Sequence, residues 1–234
     1  MNSANVDRPK MKTNHLPTNR RFRAFTLVEL LVVMAVIATL AAILFPAFGH
    51  IKMRGTIARA TAEMKKVVLA IESYKAQFGH YPPDNPDNSA VNQLFYELAG
   101  TTNLSSGIFL TTSGTGITNP TAFYGPKVTG FVNLSRGAGD EVQSARNFVI
   151  GLKSSQYLEV INGGVGTVLG IMDKGPFMLP DPNVPPIKSI NPWRYVSTNP
   201  TNNPGQYDLW VDIVVGGKTN RISNWREKPE IVAY

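Results

Sequence analysis

The stretch from Phe25 to Phe48, FTLVELLVVMAVIATLAAILFPAF, most constrains what this chain can fold into. It is roughly 24 residues long and would cover about 36 Å as a helix at 1.5 Å per residue. That length crosses the hydrocarbon core of a membrane. Its one formal charge is Glu29. A carboxylate inside a membrane-length apolar run is costly and needs either a partner or a route to water. One reading is a lone glutamate snorkelling near the interface, one turn inside an ordinary signal anchor. The other is a carboxylate held for a specific contact. Arg20, Arg21 and Arg23 precede the run, followed by the small residue Ala24. A secretory signal peptide has a shorter apolar core with its small-residue cleavage site after it. Here the small residue comes first. Basic residues also follow the run (Lys52, Arg54, Arg59, Lys65, Lys66), but the close arginine triplet favours a cytoplasmic N-terminus.

The net charge of +7 is concentrated at the start of the chain. Arg8, Lys10, Lys12, Arg20, Arg21 and Arg23 stand against Asp7 alone. The remainder is close to neutral, so the positive charge is weak evidence for nucleic acid, and none is expected as a partner. With 43% apolar residues the bulk should fold, and 20 glycines and 17 prolines indicate many turns and short strands. There are no cysteines, which excludes disulfides, thiolate metal sites and cysteine catalysis.

Ala24 followed by Phe25-Thr26-Leu27-Val28-Glu29-Leu30 closely resembles the N-terminal motif of type IV pilins and type II secretion pseudopilins. The resemblance implies cleavage by a prepilin peptidase between Ala24 and Phe25. It also implies N-methylation of the new Phe25 amine. Glu29 and Pro46 fall where the family has its assembly glutamate and a proline that lets the fibre helix bend. Glycine is the usual residue before the cut, so Ala24 departs from the pattern while keeping a small side chain. The implied physical logic is pairing of the Phe25 amine of an incoming subunit with Glu29 of its neighbour, two intramembrane charges neutralising each other.

Past the apolar run, Ile57, Thr61, Met64, Val68, Ile71 and Phe78 repeat at helical spacing. Gly79 and His80-Tyr81-Pro82-Pro83 should end that helix. Ala90 to Ala99 reads as a second helix, 141–153 as a third, and Tyr157 to Ile161 as a strand. Gly163 to Gly170 and Pro176 to Pro186 read as turns. The segments Tyr74 to Pro82, Pro192-Trp193-Arg194-Tyr195, Tyr207-Asp208-Leu209-Trp210 and Ile222-Ser223-Asn224-Trp225 resemble the major pseudopilin of type II secretion. The expected fold is therefore α+β and pilin-like: a long N-terminal α-helix, half of it transmembrane, packed on a small antiparallel β-sheet head. Its parts are a removed basic leader (1–24), a transmembrane and assembly helix (25–48) and a periplasmic head (49–234). The head comprises an amphipathic helix (49–78), an insertion (101–188) and a C-terminal sheet (190–225).

In the major pseudopilins the resemblance implies a calcium site in the loop before the closing Asn-Trp. The corresponding stretch here is VDIVVGGKTNRISNW, and Asp208 and Asp212 are weak candidate ligands because Lys218 and Arg221 stand nearby. Calcium needs six to eight oxygens, so neither a metal nor another cofactor is expected, and Trp210 and Trp225 should hold this region by packing. Gly217-Lys218-Thr219 matches the end of a phosphate-binding loop, but Asp212 occupies the place of its first glycine and no helical pattern follows. His15, His50 and His80 show no metal spacing, and no nucleophile, base and acid converge, so no enzyme is expected. Phe123, Tyr124, Phe131, Trp193, Tyr195, Tyr207, Trp210 and Trp225 read as core.

The expected function is that of a structural pseudopilin of the bacterial inner membrane, with its head in the periplasm. Its expected partners are the prepilin peptidase, further pseudopilin subunits in a homopolymer, and an inner-membrane assembly platform with its ATPase. The alternatives are a type IV pilin or minor pilin for adhesion, motility or DNA uptake, and a membrane-anchored binding protein using the pilin export route.

Overall fold

A computed structural model describes residues 25–105, 107–135, 144–181 and 188–234; the side chains of 44–51 and of residue 105 are outside that description. The chain divides into two compact units, Met1–Phe48 and Gly49–Tyr234.

In the first unit, Thr26 precedes helix α1, which runs from Leu27 to Phe78 and continues into the second unit. Side chains from Phe25 to Ile43 are exposed around almost the whole helix circumference. A helix that is apolar all round calls for burial in a membrane or in a bundle of its own kind. Among the described residues no helix is long and apolar enough to cross a membrane. The part from Leu27 to Ile43 covers about 26 Å at the helical rise. The rest of the run expected to span, up to Phe48, has side chains outside the described ones.

In the second unit α1 buries Ala60, Met64, Val67, Ala70, Ile71 and Tyr74 in the core. Ile57, Val68 and Phe78 are partly buried beside them. The inward stripe is thus rotated slightly from the expected one, because Ala60, Val67 and Tyr74 fill the face that small and aromatic residues fit best. Gly79 ends the helix as expected, with φ +81° and its N–H on the Lys75 carbonyl at 2.8 Å. Helix α2, Leu94–Ala99, is wholly buried.

Among the described residues three four-stranded sheets follow. The first orders β1 (Thr101–Ser105), β2 (Ile108–Thr111), β3 (Gly116–Ile117) and β4 (Leu134–Ser135) as β3-β2-β1-β4. Helix α3, Pro120–Tyr124, is capped by Asn119, whose Oδ1 accepts the Ala122 N–H at 3.0 Å, and it begins with a proline. The second sheet orders β5 (Tyr157–Ile161), β6 (Val165–Ile171), β7 (Leu179–Pro180) and β8 (Ser189–Pro192) as β5-β6-β8-β7. It therefore joins the middle of the chain to its C-terminal part across position 188. The third sheet orders β9 (Arg194–Val196), β10 (Asp208–Val215), β11 (Lys218–Ser223) and β12 (Glu230–Val232) as β12-β11-β10-β9, antiparallel throughout.

Three expectations are corrected. The second helix begins at Leu94 rather than Ala90, because the Asn88 side chain binds the Ala90 and Val91 N–H groups and the Asn92 side chain accepts the Leu94 N–H. Residues 144–153 form no helix. Their backbone is spent on neighbours: Arg146 exchanges hydrogen bonds with the Asn133 side chain, and the Phe148 N–H reaches the Leu98 carbonyl at 2.8 Å. The first part of that segment, 141–143, lies outside the described residues. The glycines of 163–170 are not all in turns, since Gly166 and Gly170 sit inside β6. A side chain at 166 would meet the Phe123 ring at 2.7 Å, and one at 170 would strike the Asn191 carbonyl. These glycines admit a ring and a backbone at close range.

Candidate assembly site at Thr26 to Glu29

Thr26-Leu27-Val28-Glu29 has the spacing of a helix capping box, and the geometry is complete. Glu29 N–H donates to Thr26 Oγ1 at 3.2 Å. Thr26 N–H reaches back to Glu29 Oε2 at 2.9 Å, and the Thr26 hydroxyl donates to the same oxygen at 2.8 Å. Thr26 carbonyl accepts the Leu30 N–H at 3.2 Å and opens α1. The bonds from the Thr26 and Glu29 N–H groups satisfy two of the donors that a helix start leaves unpaired.

The box engages only Oε2. Glu29 Oε1 accepts no hydrogen bond among the described residues. One carboxylate oxygen is thereby fixed in place and the other is left for a donor from outside the chain. Around it stand Phe25, 79% exposed, and a nearly continuous apolar surface as far as Ile43. Phe25 and Glu29 are thus placed within one helical turn. Ala24, the other side of the expected cut, lies outside the described residues. Helix α1 passes Pro46 without a break, and the Pro46 side chain is outside the description. Proline has no N–H to give the carbonyl four residues earlier, so the helix lacks that bond at Ala42. The capping box is a signal that the sequence reading passed over, although T-x-x-E before an apolar run is legible by eye.

The two calcium candidates lie on one face of β10 but serve separate tasks. Asp208 accepts the N–H groups of Thr201, Asn202 and Asn203 at 2.9 to 3.0 Å and the Asn202 side-chain amide at 2.9 Å. Asp212 accepts Arg221 Nε at 2.8 Å, Arg221 Nη2 at 3.1 Å, Arg194 Nη1 at 3.2 Å and the Tyr234 hydroxyl. The Asp212 carboxylate, in turn the foremost influence on Arg221, holds its guanidinium firmly protonated, with burial opposing. The stretch expected as a calcium loop is a hairpin, β10–β11, closed by Gly216-Gly217 at φ +60° and +75°, the signature of a tight two-residue turn. Gly217 of that turn leads directly into Lys218 and Thr219, the first residues of β11. Among the described residues no three His, Asp or Glu side chains gather into a metal-holding group.

Asn224 of the closing Asn-Trp pins the start of β10. Its Oδ1 accepts the Leu209 N–H at 2.9 Å and its Nδ2 donates to the Tyr207 carbonyl at 2.9 Å. Trp210 and Trp225 meet edge to face at 5.8 Å between centroids. Trp193, Tyr195, Tyr207, Phe123, Tyr124 and Phe131 are buried, while Trp210 and Trp225 are half-buried.

Residues 19–45 match the family model described as the prokaryotic N-terminal methylation motif. The match encloses Ala24, Phe25, Thr26 and Glu29 and supports a type IV pilin-like protein. This motif implies processing by a prepilin peptidase, assembly with other pilin-like subunits, and a membrane-anchored precursor with a surface-exposed or periplasmic body. No curated protein and no solved structure matches the chain.

Proposed function

We propose that this chain is a structural subunit rather than an enzyme, cut between Ala24 and Phe25, N-methylated on Phe25 and polymerised into a periplasmic pseudopilus of a type II secretion system. The observation that carries the reading is Glu29: its Oε2 is tied into the capping box, its Oε1 is open, and apolar side chains surround it. A membrane-embedded or bundled helix does not leave such an oxygen without a donor at no cost. The methylated amine of Phe25 on a second copy is a cation of suitable size, and pairing the two neutralises both charges and sets the register between copies. The remaining apolar surface from Phe25 onward packs against the same surface on neighbours when an ATPase-driven platform extracts subunits from the inner membrane.

The C-terminal sheet favours the pseudopilin branch. The Pro-Trp lead-in joins β8 to β9, Asp208-Leu209-Trp210 opens β10 and the Asn-Trp pair forms the turn after β11, and the chain has no cysteines for the disulfide of many surface pilins. A type IV pilin or minor pilin is the second reading. A membrane-anchored binding protein using the same export route is the third. Deletion of the gene followed by assays of secretion, surface fibres and DNA uptake separates them: the proposal expects loss of extracellular secretion with surface fibres intact. Loss of surface fibres alone would contradict it.

A further inference from the structure

A cavity of about 640 Å³ opens beside the third sheet, with Asn88, Phe177, Met178, Arg194, Arg221 and Tyr234 in its lining. That volume lies in the range of ligand sites. Among the described residues no acidic side chain lines it. Asp212, 1% exposed, lies beneath the two arginines and is the only carboxylate they bond among the described residues. Two guanidiniums therefore share one counter-charge.

Their hydrogen bonds leave donors over. Arg194 bonds through Nη1 and Arg221 through Nε and Nη2. Arg194 Nε and Nη2 and Arg221 Nη1 have no protein acceptor among the described residues. Arginine N–H pairs of this kind match the planar fork of a carboxylate. The Phe177 ring lies over the Arg194 guanidinium, 4.5 Å from centroid to Cζ, and meets Tyr234 edge to face at 5.4 Å. Phe177 is nonetheless half exposed. Met178, Leu179, Val91 and Pro192 complete an apolar wall. Asn88 uses its Oδ1 on the Ala90 and Val91 amides, and its Nδ2 has no acceptor among the described residues.

We infer that this cavity is a docking site for an acidic peptide segment of a partner polypeptide, a glutamate or aspartate flanked by apolar side chains. The carboxylate caps the spare guanidinium donors, the neighbouring apolar side chain covers Phe177 and Met178, and the Asn88 amide takes a backbone carbonyl. The charge arrangement selects the occupant: a neutral apolar peptide leaves the spare donors without an acceptor, and a basic one meets an excess positive charge. The site is independent of which fibre the subunit enters, since none of its residues belongs to the N-terminal motif.

The test is calorimetric titration of the full chain in detergent, with a micelle blank, using a blocked Phe-Glu-Leu-Glu peptide, its Phe-Gln-Leu-Gln counterpart and 3-phenylpropionate. The expected result is binding of the Glu peptide at least about tenfold tighter than the Gln peptide, weakening as salt is raised. Phe177→Ala, at a half-exposed position that leaves the Asp212 pairs intact, should weaken the Glu peptide by about tenfold. Arg221→Gln should abolish the preference for Glu over Gln, with a melting curve confirming that the chain is folded. Equal binding of the two peptides overturns the inference. So does unchanged affinity in Phe177→Ala, or binding of 3-phenylpropionate with no binding of the Glu peptide.

Discussion

The Tyr74 hydroxyl of α1 donates a hydrogen bond to the Glu97 carboxylate of α2 at 2.9 Å, both residues being fully buried. The same carboxylate accepts the Val132 and Asn133 N–H groups at 2.8 and 3.0 Å. One side chain thus ties α1, α2 and the segment entering β4 together. Truncation by Glu97→Ala strands two buried donors, the Tyr74 hydroxyl and the Asn133 N–H, and the part-buried Val132 N–H; a buried donor left unpaired costs about 1–3 kcal/mol. The expected loss is about 3 kcal/mol or more, read from chemical denaturation of the chain in detergent.

The same residue sets a pH dependence. Burial, the largest influence, raises the Glu97 carboxyl above its ordinary 4.5, against three hydrogen bonds that favour the anion. The folded chain therefore holds this proton to higher pH than the unfolded chain does. Its contribution to stability is complete below about pH 4.5 and is lost as pH rises through the raised folded value. Melting temperatures of the wild type and Glu97→Gln over a pH series should diverge upward from there, increasingly in favour of Gln. A divergence in the opposite sense would show that the three donors outweigh burial.

Asp212 and its two arginines are expected to behave as a structural cluster. Asp212→Asn removes the shared counter-charge from two partly buried guanidiniums and should cost about 2–3 kcal/mol. Titration of the wild-type chain with calcium should show no micromolar binding, because the Asp208 and Asp212 oxygens already accept N–H and O–H donors. Micromolar calcium affinity, lost in Asp208→Asn, would reverse that reading.

Gly170 faces the Asn191 carbonyl and the Ile190 side chain inside the second sheet. Gly170→Ala forces these strands apart and should cost about 1–3 kcal/mol. Gly205, with open space where a Cβ would stand, carries only the cost of its positive φ, and its alanine variant should lose about 1 kcal/mol. A smaller loss at 170 than at 205 would contradict the packing described for β6 and β8.

What the sequence disclosed follows from how local each signal is. The end of α1 at Gly79, strand β5 and the buried aromatics were legible because glycine punctuation, alternation and size act within a few residues. The capping box is equally local, a Thr26-x-x-Glu29 spacing directly before an apolar run. Helix α3 is not among the expected elements, although Asn119-Pro120 carries its cap and first-turn proline. The extended course of 144–153 was not legible, since the Asn133 and Leu98 groups that claim its backbone are distant in sequence. Gly166 and Gly170 read as turn residues because the Phe123 ring and Asn191 carbonyl that demand them come from elsewhere. The Asp212 cluster was half legible: Arg221 stands close to Asp212 in sequence, while Arg194 arrives through strand pairing and Tyr234 from beyond β12.

The central claim is that Glu29 acts between copies. Its most direct test is Glu29→Ala, assayed for N-terminal processing by mass spectrometry and for fibres by electron microscopy of sheared, overexpressing cells. The account predicts a chain that still begins with N-methylated Phe25 yet forms no fibres. Fibres of normal length and number from that variant would contradict it.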